Sequence, residues 1–158
     1  MNNSQYSKAI QQVFCGGNIS EEEFQRERKA AKGIPDDDVM WGLLNRKILE
    51  GNKNKLGGVK AVYLDMAHFL RMEGRNALNA LKGFHKFTLQ DFLEAGIEKV
   101  SISTAKSETC EACAKLEGKM LTVKEALSTM PLPVEDCCFT FKGYKHAFCR
   151  CMYLPEFD

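Results

Sequence analysis

Apolar residues recur at intervals of three and four through the first 95 positions, then shift to alternation and clustered cysteines. The first spacing belongs to helices and the second to strands. Tyr6, Ile10 and Val13 share one side of a short helix predicted within residues 1–14, broken by Cys15-Gly16-Gly17-Asn18. Ser20 with Glu23 three residues on reads as a capping box opening a polar helix to about Lys32, ended by Gly33-Ile34-Pro35. Its charged surface, from Gln25 to Lys32, reads as a solvated face. Asp36, Asp37 and Asp38 stand where the next helix begins, and acidic groups there meet the positive end of its dipole. A magnesium site is a weaker reading of these three, because neighbours in a helical turn point in different directions. Val39, Met40, Leu43, Leu44 and Ile48 form that helix's buried stripe, with Trp41 at its edge and a stop near Gly51. Asn52 to Gly58 reads as a polar, mobile linker.

A longer helix is predicted from Val59 to Lys82, with Val59, Val62, Tyr63, Met66, Phe69, Leu70, Ala77, Leu78 and Leu81 on one stripe. Arg71, Glu73, Arg75 and Asn76 interrupt that stripe, and Gly83 caps the helix. His68 falls at the stripe's edge and His85 in a loop. Thr88, with Asp91 three residues later, reads as the N-cap of a short helix from Leu89 to Ala95, closed by Gly96. Lys99-Val100-Ser101-Ile102-Ser103 alternates as a half-buried strand does. Thr122 and Glu125 form another capping box, for a helix that ends at Met130-Pro131-Leu132-Pro133. Phe139, Phe141, Tyr144 and Phe148 predict strands packed on a small core. The fold class expected is α+β: a mainly helical N-terminal two thirds followed by a small cysteine-rich β module. The expected division is an N-terminal helical region and linker over 1–58 and a domain over 59–158, with the cysteine-rich module at 99–155.

A chain of 158 residues with 44% hydrophobic and 27% charged residues can build a core. Its net charge of +1 supplies no global basic field for nucleic acid, and no Lys/Arg-rich run appears. The N-terminus, MNNSQYSKAIQQ, lacks the basic flank and apolar run of a secretory signal. No apolar stretch is long enough to span a bilayer. The expectation is therefore a cytoplasmic protein without a membrane partner, in which clustered cysteines are metal ligands rather than disulfides.

Six of the seven cysteines fall between 110 and 151: Cys110, Cys113, Cys137, Cys138, Cys149 and Cys151. Cys110 and Cys113 are a C-x-x-C pair able to point inward from one turn, the usual half of a zinc site. The second half is over-supplied. Cys149 and Cys151 share a face if their segment is extended, whereas Cys137 and Cys138 point opposite ways. The favoured set is Cys110, Cys113, Cys137 and Cys149 around one structural zinc, with Cys138, His146 and Cys151 as alternates. A catalytic zinc would need an open position and a base, for which Glu135 and Asp136 are the candidates. No Ser-His-Asp pattern, H-E-x-x-H or phosphate-cradling glycine loop is present, so no catalytic residue is assigned.

Residues from about Ala61 to Pro155 resemble the C-terminal domain of phage head morphogenesis proteins, the Mu F-like minor head proteins. The resemblance rests on the order of elements. Arg71-Met72-Glu73 with Asn76 and Asn79 is followed by Gly96-Ile97-Glu98-Lys99-Val100, Cys110 to Cys113 and Leu116-Glu117-Gly118-Lys119. Pro131 and Pro133 and then Cys149-Arg150-Cys151 before Pro155 complete it. In the family a histidine often follows the proline pair; Cys137 falls near that place, and His146 keeps the H-x-x-C-R-C spacing. The resemblance implies a non-enzymatic virion-assembly protein, phage- or prophage-encoded, contacting portal, capsid or scaffold in the host cytoplasm or virion. It also implies that Arg71 and Glu73 form a structural polar pair reaching the cysteine module. The alternative is a small zinc-ribbon-like module that regulates or binds a host protein or nucleic acid. Lys142, Lys145 and Arg150 would then make the basic face, with Phe141, Tyr144 and Phe148 for stacking.

Overall fold

Side-chain caps set where the first helices begin. The computed structural model describes residues 6–52 and 57–157. Ser7 accepts the Ile10 amide at 3.3 Å and opens α1 (Lys8–Gly16). Ser20 accepts the Glu23 amide at 3.1 Å and opens α2 (Glu21–Ala30). The three aspartates occupy the first turn of α3 (Asp36–Leu49), with Arg46 and Lys47 in its last turn. Both ends thus complement the dipole. The charged side of α2 is not simply solvated. Glu23 pairs with Lys47, Glu27 with Arg46, and Arg28 with Asp36, so ion pairs lace α2 to α3.

Of the linker expected at 52–58, residues 53–56 lie outside the described residues. Asn52 is buried, not loose: its amide donates to Asn18 Oδ1 and to the Gly58 carbonyl, each at 2.9 Å. Asn18 in turn donates to Asp65 Oδ2 at 2.7 Å. This buried polar chain ties the α1–α2 turn and the end of α3 to α4 (Gly58–Met72). Burial pushes the Asp65 carboxyl up to about 6, against the lowering effect of the Asn18 bond.

The helix expected from Val59 to Lys82 is two helices. At φ 72°, Gly74 lets the chain leave α4, with its amide bonded to Arg71 O and that of Arg75 to Leu70 O. That is a Schellman closure. Asn76 Oδ1 then accepts the Leu78 amide at 2.8 Å, at the start of α5 (Leu78–Glu94). Gly83 is inside α5 rather than at a helix end. A Cβ there would run into the Tyr63 ring, so glycine permits the close approach of α4 and α5. Thr88 does not start a helix either; its hydroxyl donates to Phe84 O one turn back. His85, expected in a loop, is buried in the same helix.

The strand β1 (Lys99–Ser103) forms as its alternation predicts, with Val100 and Ile102 buried. It is the middle of a three-stranded antiparallel sheet, flanked by β2 (Met120–Thr122) and β3 (Met152–Glu156). Between β1 and β2 lies α6 (Glu111–Ala114); after β2 comes α7 (Val123–Thr129), opened by the reciprocal Thr122–Glu125 box. The class is α+β. Phe139 to Phe148 form no strand; the segment is an irregular loop whose stem is the Phe148 amide bonded to Phe139 O at 2.9 Å.

Two apolar clusters result. One gathers α1, α2 and α3 around Val62 and Phe69 of α4. The other gathers α5, α7 and the sheet with Ala67 of α4, Leu132, Tyr153 and four of the cysteines. The α4 helix contributes to both. Among the described residues no helix is long and apolar enough to cross a membrane.

Candidate metal centre

The site begins with the L-E-G-K segment. Gly118 N bonds to Ile102 O at 2.8 Å, and Ile102 N to Lys119 O at 3.0 Å, extending the β1–β2 ladder. The Glu117 carboxylate accepts both the amide and the hydroxyl of Thr104, just past the end of β1. These bonds fold the chain so that α6 sits at the end of the sheet. Cys110 is the N-cap residue of α6 and Cys113 lies within it, three residues on and therefore on the same side.

The second group arrives on two other segments. Leu132 is fully buried, and its amide donates to the Tyr153 hydroxyl at 3.3 Å. A turn from Val134 to Cys137 then brings Cys137 inward. Cys149 and Cys151, immediately before β3, are both buried, while Arg150 between them is half-buried. The Arg150 guanidinium donates to the carbonyls of Ser107 and Glu108 at 3.3 and 3.2 Å and covers the Phe139 ring at 3.5 Å. It thereby ties the loop before Cys110 to the segment carrying Cys149 and Cys151.

The sulfurs of Cys110, Cys113 and Cys137 lie within 4.8 Å of one another, as do those of Cys113, Cys149 and Cys151. All are free thiols. Cys113 belongs to both groups. Every cysteine of the set expected from the sequence is therefore at the cluster, and the alternate Cys151 joins it. Cys138 is exposed and belongs to neither group, although Cys110 accepts a hydrogen bond from its amide. His146 is exposed too and lies beside Arg71 and Tyr144, in neither group. Cys15 is exposed on α1.

The donor set fits a soft, tetrahedral cation. With zinc–sulfur bonds of about 2.3 Å, the sulfurs at two tetrahedral corners stand about 3.8 Å apart; Cys110 and Cys137 are 3.9 Å apart. The protonation pattern fits as well. Burial would raise the Cys110 thiol, but the amides of Cys138 and Cys113 and neighbouring thiols outweigh it, to about 6. The Cys151 thiol and nearby amides hold Cys149 at about 6 against burial. Burial raises Cys137 to about 11 and also pushes Cys113 up, while the neighbouring Cys149 is the main cause that raises Cys151. Thiolates here are stabilised by backbone amides and by the S–H groups of their neighbours, and a bound divalent cation would replace those shared protons.

Arg71 reaches the cysteine-rich segment, though not through Glu73. Its guanidinium lies 4.3 Å from the Phe141 ring centre and 5.4 and 5.7 Å from those of Tyr144 and Phe148. Glu73 instead pairs with Arg75 at 3.1 Å and accepts from the Trp41 indole at 3.3 Å. His68 stacks on Phe148 at 5.2 Å, and burial followed by the Arg71 charge lowers its pKa. The resemblance implied that Arg71 reaches the cysteine module but not that it sits on these rings, and the Arg150 tether went unread, since neither a cation over a distant ring nor a bond to a loop carbonyl leaves a spacing signal. Comparison of the chain with protein families, with curated proteins and with solved structures finds no match.

Proposed function

We propose that this chain is a zinc-stapled, non-enzymatic assembly protein of the phage minor-head type, acting through protein contacts with portal or capsid components. The observation that carries the reading is the five-thiol cluster. It joins α6 and the segment before β3, both of which carry the resemblance in sequence, to the turn at Cys137, which falls near the place of the family's histidine. A tetrahedral set of sulfur ligands suits zinc, as it also suits an iron–sulfur centre, and a buried all-thiolate zinc site is closed and structural. When bound, zinc would cross-link three segments that share one apolar cluster. Glu135, the candidate base, points its carboxylate to Lys82 at 2.6 Å. The nucleic-acid alternative needs open aromatic faces. Here Phe148 is buried and Arg71 covers Phe141, which weighs against it.

Two measurements test the proposal. Protein purified without chelator is expected to carry about one zinc per chain and to show all seven thiols after denaturation. Particles of the phage that encodes the chain are expected to contain it, detected by immunoblot of purified virions and procapsids. Metal-free chains with missing thiols would refute the staple. Metal-loaded chains absent from virions and procapsids alike would refute the assembly role.

A further inference from the structure

The cluster holds five thiols, one more than a tetrahedral zinc takes. Two small cavities border them, and Cys137 lines both. One, of about 10 Å³, is walled by Cys110, Cys113, Cys137 and Cys151 together with Phe139, Arg150 and residues of the loop before Cys110. That is room for about one water-sized sphere, the scale of a single ion. The other, of about 60 Å³, is walled by Leu78, Leu81, Val134, Glu135, Cys137 and Cys149, among others. Of these two cavities, Cys149 lines the second. Its sulfur accepts the Val134 amide at 3.4 Å there, yet stays within 4.8 Å of Cys113 and Cys151. The larger cavity has room for a molecule of a few heavy atoms beside that sulfur.

We infer that Cys110, Cys113, Cys137 and Cys151 are the four corners of the metal site, and that Cys149 is an unligated fifth thiol at which a peroxide opens the site. This rests on the metal reading above. The sulfur of Cys149 attacks one peroxide oxygen and the O–O bond breaks. Cys149 becomes a sulfenic acid, and the departing hydroxide takes the thiol proton and leaves as water. The Cys113 thiolate then attacks the Cys149 sulfur, the S–O bond breaks, hydroxide leaves and a disulfide forms. The two sulfurs together lose two electrons and the peroxide gains them. Cys113 is the partner because it alone belongs to both sulfur groups and comes from a different chain segment, α6. Its withdrawal leaves the metal three thiolates and releases it.

The test uses the full chain loaded with zinc. Cys149→Ser is expected to keep about one zinc per chain, and Cys151→Ser to bind it at least about tenfold more weakly. Hydrogen peroxide is expected to release zinc from the native chain at least about tenfold faster than from Cys149→Ser. Peptide mass spectrometry should find the Cys113–Cys149 disulfide. A second arm needs no variant. Limited alkylation of the zinc-loaded native chain with iodoacetamide should modify Cys149 before Cys110, Cys113, Cys137 and Cys151, with the metal retained. Loss of zinc from Cys149→Ser with retention by Cys151→Ser would overturn the assignment, as would alkylation of Cys151 ahead of Cys149. Equal peroxide sensitivity of the native chain and Cys149→Ser would overturn the oxidation step. A native chain that binds no zinc would instead overturn the metal reading on which both stand.

Discussion

Asp65 is a carboxyl placed where its charge is costly. It is 7% exposed, its carboxylate accepts the Asn18 side-chain amide, and it packs on the Cα of Gly16. Its pKa stands near 6 against 3.8 when unhindered. A carboxyl whose folded pKa is raised binds its proton more tightly in the fold than in the unfolded chain. The Asp65 contribution to stability is therefore greatest below about pH 3.8, falls as pH rises between about 3.8 and 6, and is level above that. At 1.36 kcal/mol for each pKa unit, that rise costs about 3 kcal/mol at pH 7. Asp65→Asn keeps an acceptor for Asn18 and removes the charge. It should stabilise the protein at pH 7 by up to about 3 kcal/mol, or roughly 6–12 °C in Tm for a chain of this size. The assay is the difference in melting between Asp65→Asn and the native chain, from pH 4 to 8. Taking the difference cancels the titration of the cysteines, which both chains share. The gap should open between pH 4 and 6 and then stay constant. A gap independent of pH, or a variant less stable than the native chain at pH 7, would show that Asp65 is charged and well solvated by its neighbours.

Other expectations follow from the same geometry. Cys113→Ser should uncouple the cluster that contains the sheet and lower Tm by at least about 6–12 °C, a loss of about 3 kcal/mol, whereas exposed Cys15→Ser should leave the melt unchanged; equal melts by calorimetry would sink the staple. Arg150→Ala removes the tether to Ser107 and Glu108 and should weaken zinc binding by about tenfold in a competition titration with a chromogenic chelator, without changing the number of metals bound. Gly83→Ala forces a methyl group into the Tyr63 ring. An overpacking cost of about 1–3 kcal/mol, less the gain of about 1 kcal/mol from alanine in a helix, predicts a net loss of up to about 2 kcal/mol in urea unfolding.

Features with a local cause were legible in the chain. Ser20, Thr122 with Glu125, and the alternation from Lys99 to Ser103 each act through bonds within a few residues, and each stands where it was expected. The break between α4 and α5 was legible in part: Gly74 and Asn76 carry the stop and start signals and polar residues interrupt the stripe there, but apolar spacing resumes at Ala77, Leu78 and Leu81. Gly83 and Thr88 misled because their local chemistry is ambiguous. Glycine serves a close helix contact as readily as a helix end, and a threonine hydroxyl bonds backward as readily as forward. The thiols of the cluster could be named from spacing, since chain proximity pairs Cys110 with Cys113. Which of Cys138, His146 and Cys151 turns inward depends on the loop from Phe139 to Phe148, whose course is set by Arg71, Arg150 and ring packing rather than by any periodicity.

The order β2-β1-β3 has a bearing on how the chain is made. The central strand and α6 are synthesised well before β3, which covers the other edge of β1, and before Cys149 and Cys151, which lead into it. During synthesis the first thiol pair must therefore wait, open to solvent and to any passing soft metal, until the last segment folds back. A nascent chain halted before residue 149 has one edge of its middle strand bare and an incomplete set of sulfurs. The last strand thus acts as a clasp: only a chain translated through it can close the sheet and the thiol cluster together.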